Sequence, residues 1–212
     1  MITNLTHQSL NEIYPVSRET FERLERYVTR LLEWQEKTNL IANSTKGEIW
    51  SRHVADSLQC LALKPNVRRW LDLGSGAGFP GLVISACMKA FDETSVTLVE
   101  SNQKKSAFLR QANRAMDANA IVHNDRIEAA ASKIELPEIV TARALASLPE
   151  LFNLSSPWIC NGAQALFHKG REYRAELSEC DGLWTYDLII HESRIEPDSV
   201  ILEISNLRSK DA

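Results

Sequence analysis

Residues 71–81 read Leu71-Asp72-Leu73-Gly74-Ser75-Gly76-Ala77-Gly78-Phe79-Pro80-Gly81, a glycine-rich turn directly after a short apolar run. Such a turn lets the backbone approach a ligand at the carboxyl edge of a sheet, where open α/β folds place their ligands. Residues 76–81 also satisfy G-x-G-x-x-G, the spacing of a dinucleotide site. In the dinucleotide arrangement the first glycine closes the strand, whereas here Gly74 already does so and Gly76 lies beyond it. Glu100 ends the next apolar run, 22 residues after Gly78, where a carboxylate accepts the hydroxyls of an adenosyl ribose. It serves either cofactor equally.

Outward from this segment, short apolar runs alternate with helical stretches. Trp70 to Leu73, Ser95 to Val99, Ala120 to His123, Ile139 to Ala142 and Ala163 to Phe167 are the predicted parallel strands. Pro80 to Ala90 starts on a proline suited to a first helical turn, and Gln103 to Met116 is a basic helix. Leu183 to His191 and Val200 to Asn206 flank a polar turn too short for a helix, which predicts an antiparallel hairpin on the sheet edge. Before Trp70 the pattern is helical. Phe21, Leu24, Val28, Leu31 and Leu32 recur at helical spacing from Ser17 to Gln35, with Ser17 as cap and Glu19 in the first turn. A second helix is expected from near Gly47, presenting Trp50, Val54, Leu58 and Leu61 and ending before Pro65. The expected class is α/β: a Rossmann-like seven-stranded sheet over 66–212 with a carboxyl-terminal antiparallel hairpin, carrying a helical extension over 1–65.

With 212 residues, 44% hydrophobic, the chain suits one buried core plus an appendage. Cys60, Cys87, Cys160 and Cys180 form no C-x-x-C pair, so free thiols are expected and no metal site. The longest apolar runs fall short of a membrane span and Met1 to Leu10 is polar, which predicts a cytoplasmic protein. The net charge of -4 gives no global attraction to a polyanion. Residues 1–69 nevertheless carry 10 Lys and Arg against 8 Asp and Glu, and the remainder 14 against 20.

Three features favour a methyl donor, S-adenosylmethionine, over a dinucleotide: Asp72 inside the first strand in D-x-G-x-G-x-G, the predicted edge hairpin, and too little chain for a second domain to hold a hydride acceptor. That donor has no pyrophosphate to cradle, and Asp72 near its cationic end is electrostatically tolerable. Arg143 ends the fourth strand, where it suits a cofactor carboxylate or a guanine O6, or a structural carboxylate. Lys169 follows the fifth strand and suits a phosphate or solvent. His53 reads as a packed or capping histidine rather than a proton carrier, with Asp56 on the same helix face to hydrogen-bond it. Lys104, Lys105, Arg110 and Arg114 form a basic patch suited to solvent or an RNA backbone.

Asn39-Leu40, Arg52 to Leu58, Leu71 to Gly81, Arg126-Ile127-Glu128, Ala142 to Leu148 and His168-Lys169-Gly170 follow one another along the chain. In that order these stretches together resemble the glucose-inhibited division protein B family, bacterial 16S rRNA guanine-N7 methyltransferases. The resemblance implies a seven-stranded methyltransferase fold with a helical amino-terminal extension. It implies methyl transfer to N7 of guanine 527 in 16S rRNA, within the small ribosomal subunit, by a monomer. Carried over by position, it implies that Gly74 and Phe79 line the cofactor from the glycine loop, Ile127 and Glu128 after strand three, and Arg143 at the end of strand four. Glu100 would hold the ribose, where the family often has aspartate. Guanine N7 carries an in-plane lone pair, so no catalytic base is assigned. A small-molecule methyltransferase and a non-catalytic nucleotide-sensing module remain as alternatives at this point.

Overall fold

The computed structural model describes residues 7–210. Its strands are β1 (Arg69–Leu73), β2 (Ser95–Val99), β3 (Ile121–His123), β4 (Ile139–Arg143), β5 (Gln164–Lys169), β6 (Trp184–Glu192) and β7 (Val200–Ser209). They form one sheet in the order β3-β2-β1-β4-β5-β7-β6. β1 to β5 pair in parallel, and β7 runs antiparallel to both neighbours, giving the expected edge hairpin. The strand order reverses between β1 and β4, which opens a crevice at their carboxyl ends.

The helices are α1 (His7–Asn11), α2 (Arg18–Gln35), α3 (Asp56–Leu63), α4 (Gly81–Met88), α5 (Gln103–Ala115), α6 (Ile127–Ala130), α7 (Leu148–Ile159) and α8 (Tyr173–Cys180). α2 starts as its sequence dictates, with Ser17 Oγ accepting from the Thr20 amide at 3.2 Å. Leu24, Tyr27, Val28 and Leu31 are buried, while Leu32 lies off the stripe at 39% exposure. α4 is apolar all round and every one of its residues is buried, because it lies between the sheet and the amino-terminal helices. Leu82, Val83, Ile84 and Met88 contribute roughly 1.5–3 kcal/mol each by that burial.

The sheet separates two apolar clusters. One joins the amino-terminal helices, α4 and α5; the other joins α7, α8 and the hairpin. Strand alternation assigns each residue to a face. In β1, Trp70 enters the first cluster while Leu71 and Leu73 enter the second, so Asp72 points with Trp70 beneath α4. It does not line the ligand crevice, which corrects its expected place near a donor's cationic end. Its Oδ1 accepts from Thr141 Oγ1 at 2.8 Å across the β1–β4 register, and its Oδ2 has no hydrogen-bond partner among the described residues. Burial raises its pKa to about 6.

A group whose folded pKa is raised costs stability as pH rises from its unfolded value through the folded one. The wild type therefore loses up to about 3 kcal/mol between pH 4 and 7 through Asp72, a loss that Asp72→Asn escapes. The stability difference, variant minus wild type, should become more positive from pH 5 to pH 8 in urea melts. A pH-independent difference would show that Asp72 is ionised throughout.

The second amino-terminal helix departs from expectation. Residues Asn43–Glu48 form a 3₁₀ turn and Ile49–Ala55 a π-helix, and only Asp56–Leu63 is α-helical. The wider π turn places the Arg52 carbonyl, the His53 ring and the Asp56 carboxylate around a single side chain, Arg143.

Candidate active site

A cavity of about 660 Å³ opens at the carboxyl ends of β1, β2 and β4. Gly74, Phe79, Glu100, Ile127, Glu128 and Arg143 all line it, so the structure brings these six expected cofactor residues to one place. Gly74 sits at φ +63°, and a Cβ there would lie 2.3 Å from Leu145 Cδ1. Glu100 is 8% exposed; its Oε2 accepts from the Gly76 amide at 2.8 Å and its Oε1 from the Asn102 amide at 2.7 Å. The carboxylate thus fixes the glycine loop, and each oxygen keeps a lone pair for a ligand hydroxyl. Ile127 and Glu128 open α6 on the far side of Glu100, Ile127 buried and Glu128 exposed.

On the opposite side, Phe79 is wedged between Tyr27, with ring centroids 5.3 Å apart, and His53, stacked at 4.9 Å. Tyr27 Oη donates to the Ala77 carbonyl at 2.6 Å, which ties α2 to the glycine loop. Arg143 lies on the same face of β4 as Thr141, toward the amino-terminal helices. Its Nε pairs with Asp56 Oδ2 at 3.2 Å. Its Nη2 lies 2.8 Å from both the Arg52 carbonyl and His53 Nδ1. Arg143 has no acceptor atom, so His53 Nδ1 accepts, and Nε2–H donates to Thr45 Oγ1 at 3.0 Å. Burial, with the Arg143 and Arg52 charges, pulls the His53 pKa down to about 3, keeping the ring neutral.

These contacts correct three expectations. His53 makes no hydrogen bond to Asp56 among the described residues; the π turn rotates it onto Arg143 and Thr45. Lys169 is not a solvated loop lysine. It is the last residue of β5, its side chain is 9% exposed, and it pairs with Glu176 at 2.5 Å and donates to the Ala146 carbonyl at 3.1 Å. The basic patch on α5 is divided: Lys105 lines the cavity, Arg110 donates to the Val122 carbonyl at 3.2 Å, and Lys104 and Arg114 are exposed.

A second cavity of about 500 Å³ adjoins the first, and Arg143, Ala144 and Ala146 line both. Sequence reasoning missed Tyr27 and Thr45. Tyr27 was detectable as a polar-tipped residue on the buried stripe, three positions after Leu24 and four before Leu31. Thr45 carries no comparable signal.

Comparison with known proteins identifies the family. The rRNA small subunit methyltransferase G family model, GidB, matches residues 20–196. The chain is 48% identical over 194 residues to the ribosomal RNA small subunit methyltransferase G of Chelativorans sp. (strain BNC1), covering 92% of each chain. It is 47% identical over 211 residues to that of Brucella ovis, covering 99% of each. Among solved structures, magnesium protoporphyrin IX methyltransferase from Synechocystis PCC 6803, with bound SAM, aligns with a TM-score of 0.56 at 11% identity, covering 91% of this chain and 99% of that one. That likeness is one of fold. The match along most of the chain, at this identity, places the protein in the rRNA small subunit methyltransferase G family.

Proposed function

We propose that this chain transfers a methyl group from S-adenosylmethionine to N7 of guanine 527 in 16S rRNA. The observation that carries the reading is the convergence of six residues from four separate segments on one cavity, within a chain of this family. Family membership favours the rRNA over a free metabolite, and methyl transfer over nucleotide sensing.

The cavity fits the donor. It offers a glycine turn that a Cβ would fill, a carboxylate at the end of β2 for the ribose, and a guanidinium at the end of β4 for the methionyl carboxylate. Gly74 and Phe79 would line the donor from the loop, Glu100 the ribose, Ile127 and Glu128 the far end, and Arg143 the tail. When bound, S-adenosylmethionine supplies an electrophilic methyl on a cationic sulfur. Guanine N7 is unprotonated near neutrality, so the protein need not remove a proton. Its contribution is alignment and exclusion of water, worth several kcal/mol for two oriented reactants. We assign the approach of the base to the second cavity, which shares Arg143, Ala144 and Ala146 with the first.

The reading extends to organisation and setting. We assign residues 66–212 to the methyltransferase domain and residues 1–65 to a helical extension, whose described helices pack against that domain. The chain acts as a monomer in the cytoplasm, without a metal, on the small ribosomal subunit. Incubating small subunits that lack this methyl with labelled donor should add one label per subunit, at N7 of guanine 527. Label on a free metabolite instead, or at another nucleotide, would refute the assignment.

A further inference from the structure

Three acceptors from one short stretch meet a single guanidinium: the Arg52 carbonyl, His53 Nδ1 and the Asp56 carboxylate surround Arg143. Together they occupy Nε and Nη2. No hydrogen bond from Nη1 to a described residue accompanies them, and Arg143 lines both cavities. His53 does more than accept. Its ring stacks on Phe79, which lines the donor cavity, and its other nitrogen is anchored on Thr45.

The distribution of cations along the cavity gives this arrangement a target. Lys105 and Arg126 line the Glu100 side, at the start of α5 and in the turn after β3. Arg143 lies at the end of β4, two strands from Glu100 with Gly74 between them, which at ~4.8 Å per strand is roughly 10 Å. A donor with its ribose on Glu100 and its tail crossing Gly74 brings its carboxylate to Arg143. We propose that His53 is a positioning residue, one that aims Arg143 at the carboxylate of the donor's methionyl tail by accepting from Nη2 while stacked on Phe79. The inference rests on the methyltransferase reading above.

Two ligands separate aiming from general support of the fold. S-adenosylhomocysteine carries the aminocarboxylate tail, and 5′-methylthioadenosine keeps the adenosine thioether without it. By calorimetry on the full chain, His53→Leu should weaken S-adenosylhomocysteine about 10-fold or more, as expected for a misplaced charged hydrogen bond, and change 5′-methylthioadenosine by less than about 3-fold. His53→Asn, whose Oδ1 stands near the Nδ1 position, should restore S-adenosylhomocysteine to within about 3-fold of wild type. If His53→Leu does not fold, His53→Gln, which can reach Thr45 but withdraws the acceptor from Arg143, gives the same comparison. Equal losses for both ligands, unchanged affinity for S-adenosylhomocysteine, or failure of His53→Asn to rescue would overturn the inference. A wild-type chain that binds neither ligand overturns the methyltransferase reading and this inference with it.

Discussion

Asp56→Ala is expected to destabilise the protein by roughly 2–4 kcal/mol, because it leaves a partly buried guanidinium without its counter-charge. Asp56 is 5% exposed. Its Oδ2 pairs with Arg143 Nε at 3.2 Å and lies 3.7 Å from His168 Nε2, and its Oδ1 accepts from Gln59 Nε2 at 2.8 Å. The Arg143 side chain is only 20% exposed and cannot turn fully to water. The exposed pair Arg18–Glu22 makes the contrast: its side chains are 86% and 49% exposed, and breaking it should cost less than about 1 kcal/mol. Urea melts check the prediction as a fall in midpoint at unchanged slope. Arg143→Met added to Asp56→Ala should recover part of the loss, since the orphaned charge goes with it. If the double variant is as unstable as the sum of the single ones, the two residues do not form the coupled pair described here.

The elements that stabilise this network differ in how far the sequence displays them. The parallel strands were legible because each is a short apolar run between turn residues, and the hairpin because no helix fits before Val200. Gly74, Phe79, Glu100, Ile127, Glu128 and Arg143 were legible as a set through a family resemblance; periodicity would have found only the glycines and Glu100. What stayed hidden was set by contacts distant along the chain. The Trp50, Val54, Leu58 and Leu61 spacing fits a continuous α-helix, yet the turn around His53 is a π-helix closed on Arg143, some 90 residues away. Nothing local distinguishes those alternatives. The direction of Asp72 was readable in principle, since alternation from Trp70 turns it toward the helices. The glycine motif drew attention to the ligand instead. Lys169 shows the same limit: a lysine beside Gly170 suits a phosphate, and only the α8 position of Glu176 reveals its partner.

Gly74→Asp should remove donor binding, lowering affinity for S-adenosylhomocysteine by more than about 100-fold, equivalent to about 2.7 kcal/mol. Two effects combine. At φ +63° an L side chain costs roughly 1–2 kcal/mol in backbone strain, and its Cβ would stand 2.3 Å from Leu145 Cδ1. The clash falls on the far end of a flexible side chain, so Leu145 can shift and the fold should persist with a loss of about 1–3 kcal/mol. The carboxylate has no comparable escape, because it enters the cavity on the loop that Glu100 already holds through the Gly76 amide. It adds bulk where the donor must cross from β2 to β4, and a second negative charge facing the methionyl carboxylate. Gly74→Ala separates these contributions: it keeps the strain and the Leu145 contact without the charge, and should bind more tightly than Gly74→Asp. Calorimetric affinities with thermal melts of both variants check this. If Gly74→Asp binds S-adenosylhomocysteine like the wild type, the donor does not lie against this turn; a collapse of the melting transition would instead mean that Leu145 cannot yield.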